Sequence, residues 1–248
     1  MLREAPMARI DFDGPVAAVY QSGRGAPEGG LDGWRAALGR YLPVAGPVLD
    51  LGAGTGLYAE LLRTWFGVRI VAVEPALAML RQAPPEAWRA VGRAERIPLV
   101  AGCCGAAWLS TMIHHIADLP AAARELRRVL TPGAPVLIRS AFPGDQSRIA
   151  LYRFFPTAGA VLDTFPTVAE VEAAFTAAGF TLRERRRIRQ VNAATLAEFH
   201  DKVRHRANTT LLAIPDDEFA AGLANLRAAA TTTPAQPAIS ELTLLTLT

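Results

Sequence analysis

Apolar positions along this chain recur with two periods, one typical of buried strands and one typical of amphipathic helices. Four short, nearly continuous apolar runs predict strands inside a parallel sheet, and two longer runs near the end of the chain predict a final pair of strands. These six segments are residues 48–52, 68–74, 106–110, 135–142, 180–191 and 239–247.

Helices are predicted between these strands. Residues 57–66 and 168–178 carry apolar side chains at helical spacing, Pro75 opens a short helix, and Pro120 opens a longer one. Strands that alternate with helices indicate an α/β fold. We expect a Rossmann-like, doubly wound and mostly parallel sheet with an antiparallel last strand.

Three segments interrupt this alternation. Residues 1–30 form an arm rich in glycine and proline, residues 143–166 form a long insert, and residues 195–230 hold one or two extra helices before a loop. Ligands of open α/β sheets bind beyond the carboxyl ends of the strands. We therefore treat residues 1–248 as one domain in which both inserts are helical covers over a substrate.

Composition and charge exclude several classes of protein. The chain is 51% hydrophobic and 20% charged, and no apolar run reaches the length of a bilayer-spanning helix. Its opening residues lack the apolar core of a signal peptide, so we expect a cytoplasmic protein with no membrane partner.

The basic residues do not indicate a nucleic-acid partner. The formal net charge is only +3, and Lys202 is the one lysine. The densest basic run, residues 183–189, lacks interleaved aromatic residues and fits the solvated face of an edge strand better than a phosphate-binding stripe. Cys103 and Cys104 are adjacent, which excludes an ordinary disulfide between them, and no metal site is expected.

The stretch VLDLGAGTG, residues 48–56, narrows the choice of ligand. Its G-x-G-x-G spacing differs from the dinucleotide fingerprint, because Leu57 occupies the position of the last glycine, and no P-loop lysine follows. Asp50 would repel phosphates but attract a cation, and Glu74, at the end of the next strand, can accept hydrogen bonds from ribose hydroxyls. The pair predicts a positively charged nucleoside without phosphates.

These residues resemble the class I methyltransferases that depend on S-adenosylmethionine (SAM), in particular the ubiquinone/menaquinone type. The stretch VLDLGAGTG is similar to the first motif of the family and VAVEPALAML to the second. GRAERIP resembles the adenine segment, and ELRRVLTPGAPVLIR the helix–turn–strand that follows. The four motifs occur in the family's order, so the resemblance implies SAM as cofactor and S-adenosylhomocysteine (SAH) as product.

Position by position, the resemblance implies a set of cofactor contacts. The glycine loop would lie against the methionine and ribose portions, with Asp50 supporting the loop and Glu74 on the ribose. Other residues would pack near the adenine or close an N-terminal arm over the cofactor, although Met79 also fits a core methionine and Arg24 a solvated loop arginine. The full set is Asp50, Gly52, Ala53, Gly54, Glu74, Pro75, Ala76, Met79, Ala94, Glu95, Ser110, Tyr20 and Arg24.

Two positions depart from the family pattern. Arg93 stands where an aspartate often precedes the Ala-Glu pair, and Gly105 stands where the next strand usually opens with aspartate. The first change removes a side-chain hydrogen bond expected to the adenine amino group. The second either reshapes a supporting hydrogen bond or weakens the cofactor site.

Methyl transfer needs an aligned acceptor and, for a weakly acidic one, a base. His114 and His115 follow the predicted strand 106–110, and either has a pKa suited to a general base, although both also fit a structural role. We favour His114 slightly because it is nearer the strand. Weaker candidates for binding the substrate are Tyr152, Phe154, Phe155 and Arg204.

The sequence thus predicts a methyltransferase whose acceptor is a small molecule, methylated on O, N or C. Its composition suggests bacterial specialised metabolism. Two alternatives stay open: an enzyme of the same fold that catalyses cyclisation or decarboxylation, and a non-catalytic scaffold whose SAM site has decayed.

Overall fold

A computed structural model describes residues 25–248, and these residues contain one seven-stranded sheet with the strand order β3-β2-β1-β4-β5-β7-β6. The order reverses between β1 and β4, which places the switch point of the sheet at the end of β1. The strands are β1 (Val48–Leu51), β2 (Ile70–Glu74), β3 (Trp88–Val91), β4 (Ala106–Ser110), β5 (Val136–Ser140), β6 (Leu182–Ala193) and β7 (Ala238–Leu247).

The pairing of the strands confirms the predicted fold class. β1 pairs in parallel with both β2 and β4, β2 with β3, and β4 with β5, whereas β7 runs antiparallel to β5. β1, β2 and β5 are buried at every residue, as expected for strands covered on both faces. The edge strand β3 is mostly exposed.

Most of the predicted helices are confirmed, and two elements were missed. Residues 195–230 hold three helices rather than one or two, and the last continues to Thr232. β3 and the first helix were not predicted from the sequence. The α-helices are α1 (Asp32–Leu38), α2 (Leu57–Phe66), α3 (Leu77–Leu80), α4 (Leu119–Val129), α5 (Pro156–Val161), α6 (Val168–Ala177), α7 (Leu196–Val203), α8 (Thr209–Leu212) and α9 (Asp216–Thr232).

Contacts divide the chain into two compact units. The first, here called the sheet unit, comprises residues 33–141, 166–188 and 242–248. The second, here called the helical unit, has described residues 25–32, 142–165 and 189–241. Nearly all of both predicted cover inserts falls in the helical unit. That they cover a substrate, and that the whole chain is one domain, remain predictions.

Local signals explain where helices of the sheet unit begin and end. Thr167 and Glu170 form a reciprocal capping box at the start of α6, and Asp118 caps α4 by accepting a hydrogen bond from the Ala121 amide. α2 ends at Gly67, whose φ of 65° is left-handed. Helix boundaries in this unit therefore follow from short-range chemistry.

The helical unit has its own apolar core. Helices α7 and α9 are in contact, and the ring of Phe155 stacks on that of Phe219 with centroids 5.8 Å apart. Arg148 and Glu241 form an ion pair of 2.9 Å within the same unit. No helix in the described part of the chain combines the length and apolarity required to cross a bilayer.

Candidate functional site

The site predicted from the sequence begins where β1 ends. The loop after Leu51 contains Gly52, Gly54 and Gly56, with φ of 70°, 57° and 79°, all in the left-handed region. The backbone amides of Gly52 and Ala53 donate to the carbonyl of Val73, at 2.8 and 3.2 Å. The loop is therefore fastened to the end of β2, and its conformation explains the repeated glycines.

Glu74, the last residue of β2, joins this loop to the segment that leads into α3. One carboxylate oxygen accepts a hydrogen bond from the Gly54 amide at 2.9 Å, and the other accepts one from the Ala76 amide at 3.1 Å. Its exposed fraction is only 8%. A carboxylate oxygen has two lone pairs, so a carboxylate can accept hydrogen bonds from a ligand as well as from backbone amides.

Asp50 adds a second carboxylate at the end of β1. Its exposed fraction is 1%, and within the described residues its Oδ2 atom has no hydrogen-bond partner. Burial, reinforced by the charge of Glu74, raises the pKa of Asp50 to about 7, although a hydrogen bond from the Ala59 backbone opposes this shift. Two neighbouring carboxylates create a negative potential that favours a cationic ligand.

The residues after β4 form the next part of the site. Thr111 has a φ of 51°, an uncommon conformation for a β-branched residue. Met112 follows, and its side chain lies so close to Gly52 that a Cβ atom at Gly52 would be 2.9 Å from it. His114 and His115 lie in the 3₁₀ turn Ile113–His115, with ring centroids 4.1 Å apart.

Comparison with known proteins relates the glycine loop and the strands around it to a known domain family. A family model described as a methyltransferase domain matches residues 49–138, which include β1, the glycine loop, β2 and β4. Over residues 49–138 the chain is therefore similar to a methyltransferase domain. The resemblance of the sequence motifs to methyltransferases is thereby confirmed for these residues.

The curated relatives and solved structures agree with this domain. Residues of this chain are 32% identical over 133 residues to the ubiquinone/menaquinone biosynthesis C-methyltransferase UbiE of Syntrophotalea carbinolica, covering 49% of this chain and 56% of that protein. The chain thus spans about half the length of this relative.

Two solved structures share the fold. A protein assigned to the methyltransferases of an antibiotic biosynthesis pathway in Anabaena variabilis superposes with a TM-score of 0.72 and 20% identity, covering 87% of this chain and 96% of that one. The [4+2]-cyclase SpnF superposes with a TM-score of 0.60 and 17% identity, covering 91% and 84%.

Several residues expected in the cofactor site lie within the sheet unit of the methyltransferase domain. Ala76, Met79 and Ala94 are buried, Pro75 is exposed, and Ser110 is half-buried at the end of β4. Their contacts with a cofactor remain predictions. Tyr20 and Arg24 lie outside the described residues.

Glu95, expected at the adenine edge, has a structural contact. One of its carboxylate oxygens accepts a hydrogen bond from the Ala117 amide at 2.9 Å and a longer one from the Asp118 amide at 3.4 Å. Glu95 therefore holds the loop between the histidines and α4. Its role at the adenine stays a prediction, and this loop contact adds a structural function that the spacing did not reveal.

The structure explains one of the two departures from the family pattern. Gly105 lies so close to the backbone carbonyl of Ala45 that a Cβ atom at position 105 would collide with it. An aspartate could not be accommodated there without moving this backbone, so glycine is a local packing requirement. Arg93 forms an isolated antiparallel bridge with Arg96.

The weaker substrate candidates all belong to the helical unit. Tyr152, Phe154 and Phe155 are buried there, and burial raises the pKa of the Tyr152 hydroxyl despite a hydrogen bond with Thr210. Arg204 is exposed. The aromatic residues therefore contribute to the core of their unit, and their binding of a substrate remains a prediction.

Two residues next to the candidate site, Met112 and Arg139, were not predicted from the sequence. Met112 covers Gly52, and Arg139 donates from Nη1 to the Ser110 hydroxyl at 3.1 Å. An arginine inside a buried strand was the one signal that pointed to Arg139. Among the residues that the structure describes, no group of three or more His, Cys, Asp or Glu side chains is arranged to hold a metal ion.

Proposed function

We propose that this protein is a SAM-dependent methyltransferase that acts on a small-molecule acceptor through O, N or C. The observation that carries the proposal is the Glu74 carboxylate, buried and hydrogen-bonded to the amides of Gly54 and Ala76 beside a left-handed glycine loop. The methyltransferase domain at residues 49–138 supports it.

The residues of the sheet unit fit SAM as the ligand. The glycine loop exposes backbone without side chains, Glu74 would accept hydrogen bonds from both ribose hydroxyls, and Asp50 would stabilise positive charge. When bound, SAM supplies a reactive methyl group on a sulfonium centre. The chain itself would bind and orient the cofactor and exclude water.

The two histidines would supply proton transfer for an acceptor that needs it. His114 and His115 lie two and three residues after Met112, whose side chain covers the glycine loop at Gly52. Imidazole is suited to accept a proton near neutral pH. We propose that one of them, with His114 favoured, is the general base.

The nature of the acceptor is proposed from the comparisons. UbiE is a C-methyltransferase of quinone biosynthesis, and the protein from Anabaena variabilis belongs to an antibiotic pathway. We propose a small acceptor of bacterial specialised metabolism in the cytoplasm. The likeness to SpnF supports a second candidate function, a cyclisation within the same fold.

Cofactor binding is the first test. Calorimetry with SAM and with SAH on the full chain should show micromolar binding, reduced at least about tenfold, or 1.4 kcal/mol, in Glu74→Gln. The matched control is Glu60→Gln, because Glu60 lies on α2 and pairs with the exposed Arg63 at 2.8 Å. It should bind as the wild type does, and a wild type that binds neither compound would overturn the proposal.

The reaction itself is tested with SAM carrying a labelled methyl group and a panel of small acceptors. Methylation predicts a labelled product together with an equal amount of SAH. A cyclisation instead predicts a product of unchanged mass and no consumption of SAM. His114→Gln and His115→Gln should separate the two histidines, because loss of the base lowers turnover and leaves SAH affinity unchanged.

A further inference from the structure

Arg139 is a charged residue in the interior of the sheet unit, at the fourth position of β5. Its exposed fraction is 7%, and it is the register partner of Ser110 in β4. Burial of a guanidinium is costly and needs specific contacts to compensate it. The contacts that compensate this cost show which segments of the sheet unit the Arg139 side chain holds together.

The first set of contacts fixes the turn after β4. The Arg139 side chain donates to the Ser110 hydroxyl at 3.1 Å, and its backbone carbonyl accepts a hydrogen bond from the Thr111 amide at 2.7 Å. Thr111 is the residue with the uncommon positive φ. Such a conformation persists only where surrounding contacts hold it. The backbone carbonyl of residue 139 supplies one contact to Thr111 itself, and the Arg139 side chain holds the preceding residue, Ser110.

The second set of contacts reaches the helix after the glycine loop. The guanidinium carbon lies 5.1 Å from the ring centroid of Trp34 and 5.3 Å from that of Tyr58. Both distances are within the range of cation–π attraction. Tyr58 is the second residue of α2, which starts directly after Gly56, so the guanidinium packs on the first turn of the helix that follows the loop.

We propose that Arg139 is a positioning residue of the cofactor site, holding the two segments that enclose the glycine loop at a fixed separation. One segment is the turn that places Met112 against Gly52, and the other is the first turn of α2 at Tyr58. This inference rests on the proposed function, because it assigns to Arg139 a role in SAM affinity.

If Arg139 is a positioning residue, replacing it should lower the affinity for SAH more than it lowers the stability of the fold. Replacing Arg139 by methionine keeps most of the side-chain volume, and it removes the desolvation cost of the buried charge, which offsets the contacts that are lost. Arg139→Met should therefore retain its urea midpoint within a small margin, yet bind SAH about tenfold more weakly. Arg139→Lys keeps the charge without the planar group that stacks on the rings, so its affinity should be intermediate.

The matched control is Arg127→Met. Arg127 lies 5.3 Å over the ring of Phe180 on the exposed side of α4, and it contributes to no part of the site. This variant loses a cation–π contact as Arg139→Met does, and its SAH affinity should equal that of the wild type. Calorimetry at a temperature at which all variants are folded measures the affinities.

A double-mutant cycle tests whether Arg139 acts through the turn. If it does, Arg139→Met combined with Met112→Ala should lose less affinity than the sum of the two single losses. Additive losses, or wild-type affinity in Arg139→Met, would overturn the inference while leaving the proposed function intact. Proportional losses of stability and affinity would assign Arg139 to folding alone, and failure of the wild type to bind SAH would refute the proposed function instead.

Discussion

The carboxylate of Glu74 accepts a hydrogen bond from the backbone amide of Gly54, with the two atoms 2.9 Å apart. A side chain at the end of one strand thereby stabilises the loop that follows the neighbouring strand. The same carboxylate accepts from the Ala76 amide, so the residue proposed to bind the ribose also organises the backbone around it.

Glu74→Ala should therefore lower stability as well as SAM affinity. It leaves the half-buried amide of Gly54 and the buried amide of Ala76 without their acceptor, at a cost of about 1–3 kcal/mol for a group that water cannot reach. Urea denaturation measures the loss, and Glu60→Ala, which breaks an exposed pair with Arg63, should change the midpoint little. Equal stability of the two variants would contradict the structural role of Glu74.

Gly52 offers a test of how closely Met112 packs on the loop. Gly52 and Gly67 have φ of 70° and 65°, so alanine is strained at both, by about 1–2 kcal/mol. A Cβ atom at Gly67 meets nothing within 4 Å, whereas one at Gly52 lies 2.9 Å from the Met112 side chain. Gly52→Ala should therefore destabilise the protein more than Gly67→Ala does.

The difference between those two variants should disappear when Met112 is shortened. Gly52→Ala combined with Met112→Gly, compared with Met112→Gly alone, should lose only the strain that Gly67→Ala shows, because the Met112 Cβ, Cγ and Cε atoms that approach position 52 are then all absent. Urea midpoints of all four variants test this. A Gly52→Ala loss that persists at full size without the methionine side chain would show that Met112 is not its cause.

Whether the sequence could predict a contact of this site depends on how far apart in the chain the two residues are. The glycine loop follows one strand with a clear apolar run, and Glu74 is the last residue of another. The glycines that adopt a left-handed conformation are also visible in the sequence of the loop itself. The contacts of Arg139 with Trp34 and Tyr58 join residues distant in the chain. They depend on tertiary packing, and the contact of Arg139 with Ser110 depends on the register of β4 and β5; no local pattern encodes either.

The missed strand β3 has a similar explanation. Trp88 and Val91 are more than half exposed at the edge of the sheet, so the strand lacks both a buried run and an inward-facing alternation. Its four residues were therefore indistinguishable from loop. The collision that excludes a side chain at Gly105 also depends on tertiary structure, because it involves the carbonyl of Ala45.

The adjacent cysteines should differ in reactivity. Cys104 is fully buried, and burial together with the neighbouring Cys103 thiol raises the pKa of Cys104 to about 12, so very little thiolate forms near neutral pH. Cys103 is half-buried. A thiol reagent should therefore modify the Cys104→Ser variant, which retains Cys103, much faster than the Cys103→Ser variant. Equal rates in the folded proteins would contradict this, and equal rates in denaturant are the control.

The raised pKa of Asp50 leads us to expect that the stability of the protein depends on pH in a specific way. Its pKa is raised by folding from 3.8 to about 7, so the folded state binds the proton more tightly than the unfolded state does. The stabilisation from this proton is complete below the unfolded pKa, declines as the pH rises between the two values, and is absent above the folded pKa. Asp50→Asn removes this dependence, so its stability relative to the wild type should increase from about pH 4 to about pH 7 and then level off.

The same substitution should have the opposite effect on the cofactor. Above about pH 7 the wild-type carboxylate is charged and would stabilise the positive charge of SAM, which asparagine cannot do. Asp50→Asn should therefore weaken SAM binding most strongly at about pH 8 and much less at about pH 5, where the wild type is itself protonated. SAH lacks the sulfonium charge, so its affinity should depend less on this residue. Parallel urea titrations and calorimetry across this range measure both effects, and a loss of SAM affinity that is equal at both pH values would show that the charge of Asp50 is not what the cofactor requires.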